Sequence, residues 1–130
     1  MSEPQPIQRN PELQPAIRVM LLPKDTNAQG TIFGGVILSQ IDLAGAVEAQ
    51  RHTRNKIVTV AMREIVFHEP VFVGDTVSFY TSVIKKGRTS ITVGVCVEAQ
   101  RADNPDIVVK VTEAETIFVA IDRTGKPTPL

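Results

Sequence analysis

The chain has 130 residues, 14 basic and 14 acidic, so its formal net charge is zero. This length predicts one domain that folds without disulfides or metals, and the charge balance gives no general attraction to nucleic acid or to a membrane surface. With one cysteine, no secretory signal and no apolar run of membrane-spanning length, we expect a cytoplasmic protein.

The N-terminal half is predicted to contain one short strand and one long helix. Residues 1–12 include three prolines and few apolar side chains, which predicts a flexible tail ahead of a single domain over 13–130. An apolar strand over 16–22 ends at Pro23. After a segment rich in turn-forming residues, good helix formers without an internal proline predict a helix over 34–51.

This helix is apolar on almost every side when its residues are placed at ~100° intervals. A helix of this kind is buried on all sides, so we expect the rest of the chain to wrap around it. Glu48 does not fit, because it falls on the same side as Ile37 and Ile41 and the sequence shows no partner for it.

Four strands are predicted after the helix, over 56–68, 76–85, 89–99 and 107–121. Alternating apolar residues in the middle two indicate an antiparallel sheet with one face in water. The order of elements therefore predicts an α+β fold, in which a long central helix is wrapped by a curved antiparallel sheet of five to six strands.

The last strand breaks its own alternation. Val109 and Val111 are apolar, but Glu113 and Glu115, which continue the same alternate positions, are charged. A bulge that shifts the phase by one residue would explain this, and so would a subunit interface.

Two features of the helix are candidates for chemistry. Asp42 has apolar neighbours, which is costly unless the carboxylate is paired or functional; it is either a general base or nucleophile, or an interface carboxylate held by hydrogen bonds. Gly34 and Gly35 open the helix, where free N–H groups carry partial positive charge. They either stabilise an oxyanion or only form a tight turn.

Two loops add polar candidates. Asn27 could orient a water or bind a carbonyl, although asparagine more often forms an Asx-turn with its own backbone. The basic hairpin tip over 85–90 could hold a phosphate, or it is a solvated turn. No spacing resembles a zinc site, a serine nucleophile elbow or a nucleotide-binding glycine motif, and His68 is more suited to a structural role.

Taken together, these blocks resemble the YciA-like acyl-CoA hydrolases, which are similar to the cytosolic long-chain (brain-type) acyl-CoA hydrolases. The resemblance covers about residues 16–128. The blocks that carry it are Asp25-Thr26-Asn27-Ala28-Gln29-Gly30-Thr31-Ile32-Phe33-Gly34-Gly35, Ser39-Gln40-Ile41-Asp42, Val58-Thr59-Val60, Phe67 to Pro70, Val73-Gly74-Asp75, Lys86-Gly87-Arg88-Thr89-Ser90 and Thr112-Glu113-Ala114.

The resemblance implies a hotdog-fold acyl-CoA thioesterase that needs no cofactor and no metal, with a dimer as the minimal active unit and commonly a hexamer built as a trimer of dimers. It implies a site between subunits, where Asn27 of one chain faces Asp42 of the other and Gly35 supplies the oxyanion donor. The residues expected to bind substrate or coenzyme A are Gly34, Val36, Thr59, Lys86, Arg88, Thr89 and Ser90.

Two other functions remain compatible with the residues. A non-catalytic hotdog domain would bind acyl-CoA without cleaving it. A hotdog enoyl-CoA hydratase would use a histidine with a carboxylate, for which Glu48 and His68 are the available pair. In the thioesterase, the acyl group is expected near Phe33, Ile37 or Ile41.

Overall fold

One long helix packs against a five-stranded sheet in the computed structural model, which describes residues 6–7 and 12–130. This confirms the predicted α+β fold. In chain order the elements are β1 (Ile17–Met20), α1 (Gly34–Ala49), β2 (Lys56–Arg63), β3 (Thr76–Lys86), β4 (Ser90–Gln100) and β5 (Val108–Ile121), with single 3-10 turns at Pro23–Asp25 and Gln50–His52.

The sheet is antiparallel throughout and has the order β1-β3-β4-β5-β2. The three longest strands occupy its centre, and β1 and β2 form its edges. The start of β2, the end of β5 and the β3–β4 hairpin therefore meet at the end of the sheet near the C-terminus of α1, while the helix begins at the opposite end.

The core lies between α1 and the inner face of the sheet. In β4 the predicted alternation is complete, because Ile91, Val93, Val95 and Val97 are all buried while the residues between them are partly exposed. The helix contributes Ile37, Ile41 and Ala44 to the same core, among others. Burial of these side chains supplies the main driving force for packing the helix on the sheet.

The helix is not enclosed within one chain, so the expectation of burial on all sides is wrong for the protomer. Leu43 is 54% exposed and Val47 is 44% exposed. Both lie on the side of α1 that faces away from the core. A pattern that is apolar all round does not reveal whether the same chain or a second copy covers the helix.

The strand predicted over 56–68 ends early, at Arg63. Glu64 has a φ of 60°, a left-handed conformation that stops regular pairing. The chain then follows β5 irregularly: the Thr112 hydroxyl donates to the Val66 carbonyl at 2.6 Å, and the His68 amide donates to the Val111 carbonyl at 2.8 Å. The other elements keep their predicted positions, with ends that move by one or two residues.

The irregular phase of β5 results from a bulge. The register with β4 shifts so that Val97 pairs with Thr112 while Glu98 pairs with Lys110, which leaves Val111 as the extra residue. Val109 is buried before the bulge and Val111 at it, and Ala114 is buried after it while Glu113 is exposed. Of the two explanations for the pattern, the bulge is confirmed.

The predicted tail over 1–12 is only partly described. The Ile7 amide donates to the Val108 carbonyl at 2.8 Å, which ties this point of the segment to the start of β5. Residues 1–5 and 8–11 lie outside the described residues, so the flexibility of the tail stays a prediction.

Candidate active site

The start of α1 presents backbone N–H groups without acceptors. The Phe33 amide donates to the Asp25 carbonyl at 2.8 Å, and the Val36 amide donates to the Phe33 carbonyl at 3.0 Å. No side chain caps the helix, and within the described part of the chain the amides of Gly34 and Gly35 have no acceptor. Because the helix dipole adds partial positive charge there, this end can polarise a carbonyl oxygen.

An apolar cavity of about 320 Å³ lies beside the helix start, lined by Ile32, Gly34, Ile37, Phe67, His68, Glu69, Pro70 and Val71. Phe33, 57% exposed, lies next to this segment but is not among the lining residues, and Ile41 is fully buried in the core. Of the three residues expected near the acyl group, only Ile37 lines this cavity. The chain 64–71, which follows β2, supplies most of its wall.

Asp42 lies two turns further along α1, on a partly buried position that faces β2. The Thr59 hydroxyl donates to Asp42 Oδ1 at 2.7 Å. A bulge at Val60 adjoins Thr59, because Thr59 pairs with Phe118 while Ala61 pairs with Ile117. The bond fixes one carboxylate oxygen, and no acceptor or donor among the described residues engages Oδ2.

Asp42 and the amide of Gly35 are too far apart in one chain to act on the same carbonyl. Seven residues separate them within one continuous helix, which at 1.5 Å per residue is about 10 Å. A reacting carbonyl has to lie about 3 Å from both its oxyanion donor and its nucleophile or activated water. Each protomer therefore carries two separate halves of such a site.

Asn27 is engaged within its own loop, as the Asx-turn alternative predicts. Its Nδ2 donates to the Thr31 hydroxyl at 2.8 Å, and its Oδ1 accepts from the amides of Gln29 at 2.9 Å and Thr31 at 3.1 Å. This network gives the loop before α1 a fixed shape. It leaves one Nδ2 hydrogen of Asn27 available to another group.

The β3–β4 hairpin lies far from the helix start. The Gly87 amide donates to the Ser90 carbonyl at 2.8 Å, and the carbonyl of Thr89 accepts from the Ala120 amide at 2.8 Å. Lys86 and Arg88 are exposed, while Thr89 and Ser90 are half-buried. The hairpin is beside the C-terminal end of α1, so the structure does not bring its four predicted ligands near Gly35 of the same chain.

The fold adds cations to this hairpin that the sequence analysis did not select. Arg51, His52, Arg54 and Lys86 line one depression beside the end of α1, and Arg54 also borders a second depression with Lys56 and Arg123. We call this region the basic end. Eight of the 14 lysines and arginines lie there, namely Arg51, Arg54, Lys56, Lys85, Lys86, Arg88, Arg123 and Lys126. The signal was visible as a second basic run after the helix, but only the fold places it beside the hairpin.

The histidine–carboxylate pair of the hydratase alternative does not form. Glu48 Oε2 lies 3.6 Å from Arg51 Nη1 and 3.7 Å from His52 Nε2, one turn along the same helix end. His68 instead lines the cavity at the other end of α1. These contacts also account for Glu48, which the sequence left without a partner.

Three further features of the described residues concern a cysteine nucleophile, a metal site and a membrane-spanning helix. Cys96 lies on the outer face of β4, where burial raises the pKa of its thiol and so makes it a poor nucleophile. In the same part of the chain no cluster of three or more His, Cys, Asp or Glu side chains could hold a metal. No described helix is both long and apolar enough to cross a membrane.

Comparison with known proteins gives consistent matches. A family model described as the thioesterase superfamily matches residues 29–104. The acyl-CoA thioester hydrolase YciA of Salmonella typhimurium is 40% identical over 122 residues, which are 92% of this chain and 92% of that protein. A hexameric hotdog-fold thioesterase of Campylobacter jejuni is 45% identical with a TM-score of 0.84, covering 89% of each chain. A hexameric thioesterase from Yersinia pestis is 38% identical with a TM-score of 0.85, covering 93% of this chain and 98% of that one.

Proposed function

This chain belongs to the thioesterase superfamily, and from that premise we propose that it hydrolyses acyl-CoA to a carboxylic acid and coenzyme A. The observation that carries the proposal is the pair of half-sites on α1. One half is the unpaired amides of Gly34 and Gly35 beside an apolar cavity. The other is the carboxylate of Asp42, held by Thr59 on one oxygen only.

In the proposed reaction, the thioester carbonyl accepts a hydrogen bond from the free amide of Gly35, with Gly34 allowing close approach. The Val36 amide, the alternative donor, already donates to the Phe33 carbonyl at 3.0 Å. Asp42 of a second protomer removes a proton from the attacking water, or attacks the carbonyl itself to give an anhydride that water then cleaves. Asn27, in the loop before Gly34, orients the water or the carbonyl with its free Nδ2 hydrogen. In either route the thiolate of coenzyme A leaves and takes up a proton.

The basic end is proposed to bind the phosphates of coenzyme A. Lys86 and Arg88 supply charge at the hairpin, Thr89 and Ser90 supply hydroxyls, and the neighbouring Arg51 adds a guanidinium. Since the basic end and the helix start lie at opposite ends of the 16-residue helix, about 24 Å apart, we assign them to different protomers of one site.

The assembly follows from the same reasoning. Edge strand β2 exposes Val58 and Val60 and, among the described residues, pairs with β5 alone, so a second copy can pair with it to extend the sheet. Leu43 and Val47 would be covered in the same contact. We propose a dimer as the minimal active unit and a hexamer as the complete assembly, acting in the cytoplasm without a cofactor or metal.

The test is release of free coenzyme A from a panel of thioesters from acetyl-CoA to palmitoyl-CoA. We expect the wild type to release the thiol, and Asp42→Asn to lose ~10²–10⁴-fold in kcat, because asparagine still accepts from Thr59 but is neither a base nor a nucleophile. Asp42→Ala should lose as much. The exposed Asp103→Asn is the matched control and should keep wild-type rates.

The assay also separates the alternatives. Tight binding of acyl-CoA without release of coenzyme A by the wild type would favour the binding domain, and addition of water to an enoyl-CoA would favour the hydratase. Wild-type kcat in Asp42→Asn would refute the role of this carboxylate.

A further inference from the structure

Two loops that flank the cavity are joined by a buried ion pair outside the site described above. Arg101 follows β4, and Asp75 precedes β3. Nη1 of Arg101 lies 2.7 Å from Oδ2 of Asp75, and their side chains are 9% and 2% exposed. Asp75 also accepts from the amides of Phe72 at 2.9 Å and Ala102 at 3.1 Å, while the guanidinium lies 4.8 Å from the centre of the Phe72 ring.

The same guanidinium nitrogen holds the wall of the cavity. Arg101 Nη1 donates to the carbonyl of Pro70 at 2.8 Å. The next carbonyl, that of Val71, accepts from the Ile32 amide at 2.8 Å. Pro70, Val71 and Ile32 all line the cavity, and α1 begins two residues after Ile32. A continuous series of hydrogen bonds therefore links the ion pair to the start of the helix.

Stability alone does not account for this pair. Burying two charges is expensive, and well-packed apolar residues in the same place are often as stable or more so. The pair instead fixes the position of one backbone carbonyl, that of Pro70, in the stretch 64–75, which has no regular secondary structure. Without the pair, this carbonyl would lose its bond from the guanidinium, although bonds at Val66, His68 and Val71 would still hold other points of the stretch.

We propose that Arg101 and Asp75 are positioning residues for the thioesterase reaction, which fix the cavity wall at Pro70 and Val71 and thereby determine the acyl chains that are turned over. The inference rests on the proposed function, with the acyl group in the cavity beside Gly34. Neither residue touches the substrate: Arg101 holds the carbonyl of Pro70, and Asp75 acts by holding Arg101 in place.

The test compares kcat/KM for octanoyl-CoA and acetyl-CoA in Arg101→Lys and Asp75→Asn. A lysine side chain is shorter than that of arginine and has no planar guanidinium to lie over the Phe72 ring, so its ammonium is not held at the position of Nη1. The amide introduced by Asp75→Asn keeps one accepting oxygen but loses the charge. We expect the octanoyl-to-acetyl ratio to change about tenfold, the size of effect produced by small alterations of an apolar pocket. The matched control is Arg18→Lys, which alters a guanidinium bonded to Ser78 and Tyr80 on the outer face and should leave the ratio unchanged.

A purely structural role gives a different result, because a lower fraction of folded enzyme reduces the apparent kcat/KM for every substrate by the same factor. Equal losses for both thioesters, no loss, or failure of both variants to assemble by size-exclusion chromatography would each overturn the inference. If Arg101→Lys alone fails to assemble, Asp75→Asn decides. Absence of coenzyme A release by the wild type is a separate result, which would remove the proposed function and this inference with it.

Discussion

At the scale of single residues, the Thr59 hydroxyl determines how the Asp42 carboxylate is presented. The bond of 2.7 Å has the usual length of an O–H···O hydrogen bond, and bonds to a carboxylate are stronger than bonds between neutral groups. It occupies Oδ1, and no donor among the described residues bonds Oδ2, which is the oxygen available for the proposed reaction. Thr59 was expected to bind substrate; its observed contact is with Asp42, and any contact with substrate stays a prediction.

Thr59→Val tests this arrangement, because valine has nearly the same shape and the same preference for a strand but no hydroxyl. We expect kcat to fall about tenfold, as the loss of a bond worth about 1.5 kcal/mol would produce, with KM little changed. Thr59→Ser keeps the donor and should retain most of the activity. A Thr59→Val enzyme with the wild-type kcat would show that Asp42 needs no partner to be oriented.

The candidate residues differ in how far the sequence alone could identify them. Asp42 is visible as a carboxylate among apolar helix residues, and Gly35 as a glycine at a helix start. Asn27 is a candidate from its amide chemistry, but only the resemblance favours it over an ordinary Asx-turn, whose bonds it makes. Arg101 gave no signal at all, since its partner Asp75 is 26 residues away and only the fold brings them together.

At the scale of the elements, α1 lies close to the sheet because Gly45 has no side chain. A Cβ at this position would lie 3.0 Å from two ring carbons of Phe118 and would also collide with the Thr116 hydroxyl. Both neighbours are buried in the centre of β5 and have little room to move. The small residue therefore sets the distance between the helix and the sheet.

Gly45→Ala is expected to lower the free energy of unfolding, although helix propensity alone predicts an increase. Propensity alone favours alanine by about 1 kcal/mol, but overpacking a rigid core costs about 1–3 kcal/mol. We expect a net loss of about 1 kcal/mol in the free energy of unfolding, measured by urea titration of the intact assembly. A gain in stability instead would mean that the helix can move away from Phe118 without cost.

The helix and the strands were largely predictable because apolar residues recur along each element at one regular spacing. The alternation of β4 gave its buried face correctly, and the break in β5 left a bulge and a subunit interface open, of which the register shows the bulge. The prediction failed where pairing, and not periodicity, decides the structure. The apolar residues Ile65 and Phe67 continue the pattern of β2, yet Glu64 turns the chain out of the sheet.

At the scale of the whole molecule, the candidate site residues of one protomer lie at separate places along α1. The helix start and the cavity occupy one end, the basic end lies opposite, and Asp42 sits between them on an exposed side of α1 with Leu43 and Val47 nearby. The sequence could not reveal this separation, because it depends on which ends of the strands meet. If Asp42 and Gly35 act on one carbonyl as proposed, the distance of about 10 Å between them requires that each site draws on two chains.

This requirement can be tested by mixing two inactive variants. Asp42→Ala supplies intact Asn27 and Gly35, and Asn27→Ala supplies intact Asp42. In a two-fold dimer of one chain of each kind, one site combines both lesions and the other combines both wild-type halves. Because random exchange makes half of the dimers mixed, we expect about a quarter of wild-type activity after the two variants are unfolded together and refolded in equal amounts.

The two variants refolded separately and then combined without exchange are the control and should stay inactive. If co-refolding restores nothing while the mixed assemblies are present by mass spectrometry, Asn27 and Asp42 do not meet across a subunit contact.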